Sequence, residues 1–211
     1  MRSTTNLRQM VVIAASDASF AGMPRGRSQG GCVVSMANPA LWHSGLLKRV
    51  VRSSLAAEIS QAALSLEEGD SCRALLAEMA LKTFSLAGWL PAVSIWRLIL
   101  VLDSRTGYDL LNGTALGEDK RLAIDIAATK QALQEDGAER MVRWVPGEEL
   151  IADDLTKLTG NVKLMQVLAA TWALKDTESA RKLRQDAAAR KRAYRQRLSA
   201  DRAAAESQRT R

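Results

Sequence analysis

The clearest strand pattern in the chain, IWRLILVL at 95–102, runs directly into an acid, Asp103. An apolar, partly β-branched run of this length reads as a buried strand, so the carboxylate at its end sits at the rim of a core. Three more acids occupy comparable places. Asp17 follows the apolar run 10–16 (MVVIAAS), Glu58 borders the apolar stripe of a helical pattern, and Asp153 opens a short turn of helix within 150–158. Their separations of 41, 45 and 50 residues allot one acid to each structural unit of a single α/β domain. Carboxylates gathered from such positions repel one another and lose hydration, so a proton or a cation must compensate. That is the arrangement a hydrolase needs to hold divalent metal against a phosphodiester, and a metal-dependent nuclease is the first expectation.

At 211 residues, 47% apolar and 25% charged, the chain has the composition of one ordinary globular domain with a real core. Cys32 and Cys72 form neither a disulfide framework nor a metal-ligand pair and read as small core residues. The start MRSTTNLRQM has no apolar signal stretch, and the most apolar segment, 88–102, is cut by Pro91 and Arg97. A soluble intracellular protein is expected, with cytoplasm and nucleus both open. The net charge of +7 comes from 175–211, which carries 12 Lys+Arg against 5 Asp+Glu, while 1–174 holds 18 of each. Globular part and tail therefore call for separate explanations.

The expected organisation starts with strand 10–16, a Gly/Pro/Ser loop at 22–31, a strand at 32–37, a turn at Asn38 and Pro39, and a short strand at 41–44. Together these make an antiparallel meander. Ser53 or Ser54 caps a helix through 55–68, which breaks near Gly69 and Asp70 and resumes over 72–86. Pro91 marks a boundary, strand 95–102 ends at Asp103, and a short helix starts near Thr106. An amphipathic helix covers 120–133, a last strand 139–145, and Pro146 and Gly147 turn the chain into a helical turn or two at 150–158. The fold class is α/β: a mixed five-stranded sheet with flanking helices over about 8–165, then a basic Ala/Arg-rich tail, 175–211, that is helix-prone or disordered.

Several segments resemble one family. SDASFAG (16–22), GRSQGG (26–31), SSLAAEI (53–59), LVLDSRTGYDLL (100–111) and WVPGEELIADDLTK (144–157) are similar, in order, to the ribonuclease H domain of copia-type retrotransposon polyproteins. The last segment is the most diagnostic. The match spans roughly 10–160 and implies a ribonuclease H-like fold, endonucleolytic cleavage of the RNA strand of RNA–DNA hybrids, and Asp17, Glu58, Asp103 and Asp153 as catalytic metal ligands. The Ala-Asp of the signature selects Asp153 over its neighbour Asp154. Two departures stand out. Ser19 and Phe20 occupy a place where the family often has Asp-Trp, and the loop before the last acid carries Glu148 and Glu149 where cellular relatives often have His. The lone histidine, His43, lies elsewhere and reads as structural. The resemblance further implies a fragment of, or a gene derived from, a longer polyprotein whose reverse transcriptase region is a partner.

Phosphodiester hydrolysis needs an activated water and relief of charge on the leaving oxygen, which two Mg²⁺ ions can supply in an in-line displacement. Mn²⁺ is the alternative ion, and the sequence does not rank the two. Asp17 and Asp103 would flank the metals, Glu58 would orient one of them, and Asp153 would complete the second position. Taken singly, each acid reads more simply as a turn, a cap or a solvated helix edge. Arg25, Arg27 and Ser28 are candidate phosphate contacts, with a solvated loop as the alternative. Trp42, Trp96 and Trp144 read as core. The stretch 181–197 could bind nucleic-acid backbones without sequence preference, or serve as a targeting segment. Three other functions stand beside the enzyme: an inactive retroelement relic that only binds nucleic acid, a DNA-cutting nuclease of the same broad fold, and an assembly module built on the Ala-rich tail.

Overall fold

The computed structural model describes residues 10–36, 38–117, 119–134, 141–157 and 162–169, and four single positions beyond them. It divides into two units, Met1–Leu174 and Lys175–Arg211. In the second, the described positions Lys182, Gln185, Ala189 and Arg192 are helical and exposed. The remaining expectations for the tail fall outside the described residues. No helix among the described residues is long and apolar enough to cross a membrane.

The first unit is built on a five-stranded mixed sheet. Its strands are β1 (Val12–Met23), β2 (Arg27–Met36), β3 (Asn38–Leu46), β4 (Leu98–Leu102) and β5 (Met141–Trp144), in spatial order β3-β2-β1-β4-β5. The β1–β2 and β2–β3 pairs are antiparallel, while β4 lies parallel to both β1 and β5. The expected mixed sheet with a leading meander is what forms. The helices are α1 (Ser54–Ala80), α2 (Trp89–Val93), α3 (Arg105–Asn112), α4 (Lys120–Gln134) and α5 (Val162–Ala169).

Alternation along the strands divides the core into two layers. Val12, Ala14, Cys32, Val34, Leu98, Leu100 and Leu102 pack against Ile59, Ala62, Leu66, Leu76 and Ala77 of α1 and Ile126 of α4. The opposite face presents Ala15, Val33 and Val101 to Val145, Leu150, Ile151, Ala152, Leu155 and Leu164. One layer is a long helix laid across the sheet. The other is the irregular segment after β5, held down by its own apolar residues.

Several expectations are corrected. β1 and β2 extend through most of the supposed loop, leaving a three-residue 3-10 turn at Pro24–Gly26, because Asp17 to Ser19 pair with Gly31 to Gln29. Asn38 and Pro39 open β3 rather than turning, since edge-strand pairing tolerates a proline. Trp42 is not core: it is 52% exposed on β3, whereas Trp96 and Trp144 are buried. Trp96 precedes β4 rather than lying within a strand, and Pro91 lies inside the short helix α2. Arg73 explains how α2 is anchored to α1, because its buried guanidinium bonds Asp70 at 2.9 Å and the Val93 carbonyl at 3.0 Å.

Helix α1 runs unbroken through Gly69 and Asp70 and stops at Ala80, short of the expected 86. At Gly69 a Cβ would lie 2.7 Å from Leu98 Cδ1, so the glycine sets how closely helix and sheet approach and does not end the helix. Gly69→Ala therefore sets a helix-propensity gain of about 1 kcal/mol against an overlap cost of about 1–3 kcal/mol. Leu98 is fully buried and has little room to yield, so the overlap prevails. A thermal melt should show Gly69→Ala less stable by several degrees; an unchanged or raised Tm would contradict this packing.

Candidate active site

The first two carboxylates meet through strand register. β1 and β4 pair in parallel from Val12↔Leu98 to Ala15↔Val101, and the same offset carried two residues further sets Asp17 beside Asp103. Both fall where β4 ends and β1 continues, just past the carboxyl end of the β1–β4 parallel pairing, the side on which open α/β sheets place ligands. Asp17 is thus within β1, not at its end as the sequence indicated. Asp103 leaves the sheet because Ser104 immediately caps α3, its Oγ accepting the Gly107 N–H at 3.2 Å. The Asp103 carbonyl accepts the indole N–H of buried Trp144 at 2.8 Å.

Glu58 arrives from the first turns of α1, whose start is set by the expected cap: Ser53 Oγ accepts the Ala56 N–H at 3.1 Å. Ligand oxygens of Asp17, Glu58 and Asp103 all lie within 4.8 Å of one another. Glu58 Oε2 is shut off from solvent and has no hydrogen-bond partner among the described residues.

Asp153 does not open the last helix. It sits on a 3-10 turn, Asp153–Leu155, ahead of α5. Its carboxylate is paired with the Lys157 ammonium four residues on, and it stands outside the three-way grouping. Asp154, equally buried, turns the other way and accepts the Leu164 N–H of α5 at 3.3 Å. Thr156, which the sequence reading had not singled out, donates its hydroxyl to Asp17 Oδ2 and also lies 3.1 Å from the Asp153 carbonyl. Thr156 and Lys157 were present in the quoted signature, and the i,i+4 spacing of Asp153 and Lys157 could have exposed the pair.

Two glycines let this segment approach. A Cβ on Gly31, the partner of Asp17 in β2, would lie 2.7 Å from Leu155 Cβ and 3.2 Å from the Ala152 carbonyl. At Gly147 it would lie 3.1 Å from Asp103 Oδ2. Gln29 and Ser44 then fasten the turn, both donating to the Leu155 carbonyl at 2.7 and 2.6 Å.

The electrostatics follow from burial. Glu58 is pushed up to about 9, first by desolvation and then by the charges of Asp17, Asp103 and Asp153. Asp103 rises to about 6, again chiefly by burial, with Asp17 and Asp153 adding and Lys157 opposing. Burial also raises Asp17, partly offset by the Thr156 hydroxyl. The ion pair with Asp153 holds Lys157 above the ordinary lysine range. All-oxygen donors, crowded negative charge and a partnerless buried oxygen suit a hard divalent cation such as Mg²⁺ or Mn²⁺.

The other candidates lie apart from the acids. Arg25 is exposed at the hairpin tip with φ of 63°, and Arg27 donates to the Leu47 carbonyl at 3.2 Å. Both line a hollow with Lys48 and Arg49. Ser28 is buried, its Oγ accepting the Ala21 N–H at 3.1 Å, so that hydroxyl closes the hairpin and does not face solvent. His43 is exposed on edge strand β3. Cys32 and Cys72 are buried and unbridged, as expected.

Among solved structures, LC11-RNase H1, isolated from compost by a metagenomic approach, is similar over 75% of this chain and 98% of its own, at 18% identity and a TM-score of 0.51. LC11-RNase H1 in complex with an RNA/DNA hybrid is similar over 73% of this chain and 99% of its own, at 15% identity and a TM-score of 0.50. The fold is therefore the ribonuclease H fold. No protein-family model and no curated protein matches the chain.

The raised carboxyls make a prediction about the metal-free protein. In the unfolded chain Glu58 ionises near its ordinary 4.5, but in the folded site only near 9. Its penalty is absent below about pH 4.5, grows as pH rises through that interval, and levels off above about 9. Glu58→Gln removes it. In chelator, the Tm gain of Glu58→Gln over wild type should be near zero at pH 4.5 and reach several degrees at pH 8, since ~1 kcal/mol is worth ~2–4 °C at this size. A gain that does not grow with pH would mean that Glu58 is not held in this environment.

Proposed function

We propose that this chain is a ribonuclease H-type endonuclease that cleaves the RNA strand of RNA–DNA hybrids, using Mg²⁺ or Mn²⁺ held by Asp17, Glu58, Asp103 and Asp153. The observation that carries this reading is the meeting of three carboxylates from three remote segments within 4.8 Å, one of them with a buried oxygen left unbonded. The cation paired with these acids, Lys157, bonds Asp153 and leaves the buried Glu58 oxygen without a partner among the described residues. Support for the hybrid as substrate comes from the fold shared with LC11-RNase H1, seen bound to an RNA/DNA hybrid. Support for a copia-type retrotransposon origin, with a reverse transcriptase region as partner, rests on the five ordered segments described above.

A divalent cation held by these acids would supply Lewis-acid polarisation of a phosphate and a water of lowered pKa. The chain's own residues do the rest. Asp17 and Asp103 are fixed side by side by the sheet, Glu58 holds a proton at its buried carboxyl, and Thr156 keeps Asp17 oriented. Asp153 lies close enough to raise all three acids. Arg25 and Arg27, which line a hollow with Lys48 and Arg49, would meet backbone phosphates on this reading. Hybrid recognition then reads backbone shape and 2′-hydroxyls in place of base sequence.

The test is direct. Purified protein with Mg²⁺ should cut the RNA strand of an end-labelled hybrid and leave duplex DNA intact. Asp103→Asn should lower the rate roughly 10³-fold or more while the protein stays folded. No RNA cleavage by the wild type in either Mg²⁺ or Mn²⁺ would overturn the enzyme assignment, and cleavage of duplex DNA would overturn the substrate.

A further inference from the structure

We propose that Lys157 is a tethered cation that competes with the divalent ion for Asp153, so that in the free protein Asp153 is withheld from metal coordination. The proposal rests on the metal-site reading above and adds a positioning residue to it. Its ground is the asymmetry of the four acids. Asp17, Glu58 and Asp103 form a tight oxygen cluster, while Asp153, whose charge is felt by all three, remains outside it with Oδ2 bound to Lys157 Nζ.

The ammonium belongs to the cluster electrostatically. It pulls down both Asp17 and Asp103 as well as bonding Asp153. In the metal-free protein it therefore does part of what a second divalent cation would do, at about half the charge. The pair is also built to open. The Lys157 side chain is 55% exposed whereas the Asp153 side chain is 10% exposed, so the lysine can swing into solvent on its flexible stem while the carboxylate stays in place. Thr156 and the Gln29 and Ser44 bonds to the Leu155 carbonyl hold the turn through such a swing. A tethered competitor acts at high effective concentration, and this raises the apparent dissociation constant of an ion that needs Asp153.

The measurement is Mn²⁺ binding to the full chain without nucleic acid, followed by the loss of free-ion EPR signal. Lys157→Met keeps the apolar stem and removes the charge, and should bind Mn²⁺ about five- to tenfold more tightly or take up an additional ion. Lys157→Arg keeps the charge and should titrate like wild type. Adding Asp153→Asn to Lys157→Met should abolish the gain. Binding by Lys157→Met but not by wild type would also support the proposal. If Lys157→Met and wild type bind alike, the competition is overturned while the metal site stands. If neither binds, both readings fall.

Discussion

Crowding of buried carboxylates governs this structure, and the strand register creates it. Two parallel strands in fixed offset leave Asp17 and Asp103 adjacent where β4 stops, and α1 brings Glu58 against them. At an effective dielectric constant near 20, two full charges at such separations repel by about 3–4 kcal/mol. Burial first, and this repulsion second, push the Glu58 carboxyl up to about 9, which favours its protonated form. The cation proposed for this site would relieve both the burial and the crowding of these carboxylates. The two apolar layers above and below the sheet supply the stability that tolerates it.

The segment after β5 joins stability to chemistry in one stretch of chain. Val145, Leu150, Ile151 and Leu155 bury themselves against Ala15, Val33 and Val101, closing the second face of the sheet. Between and beyond these anchors stand Asp153, Thr156 and Lys157, aimed at the acids. Asp154 faces away and caps α5. Two adjacent aspartates thus divide the work by direction alone: one belongs to the site and the other to the helix.

What could be read from the sequence follows the strength of local signals. Strand β4 and Asp103, the Ser53 cap, the α4 pattern and the order of elements were legible because each rests on contiguous residues. The lengths of β1 and β2 were not, since Gly22, Pro24, Gly30 and Gly31 look like a loop until cross-strand pairing is known. Gly69 misled for the same reason: a glycine that lets helix and sheet approach is indistinguishable, in one dimension, from one that ends a helix. Trp42 was misjudged because alternation shows that a residue has a face, not that the face is covered. In the site, the four acids stood out as charges at the rims of apolar runs. Thr156 did not, because a hydroxyl in a polar stretch has no meaning until its partner, 139 residues away, is in place, while Lys157 carried only its i,i+4 spacing to Asp153.

Gly31 shows how far the site depends on positions with no chemistry of their own. It pairs with Asp17 across β2, and the turn carrying Asp153 rests on the space where its side chain would be. A methyl group there would meet the Leu155 Cβ and the Ala152 carbonyl, one of them backbone that cannot rotate aside. Displacing that turn by about an ångström would move Thr156 from Asp17, alter the reach of Lys157 and disturb Ala152 and Leu155 in the second core layer. Core packing on that face and the geometry around Asp17 are therefore coupled through one turn. The closeness of β2 to the 3-10 turn thus sets where Thr156 and Lys157 stand relative to the acids.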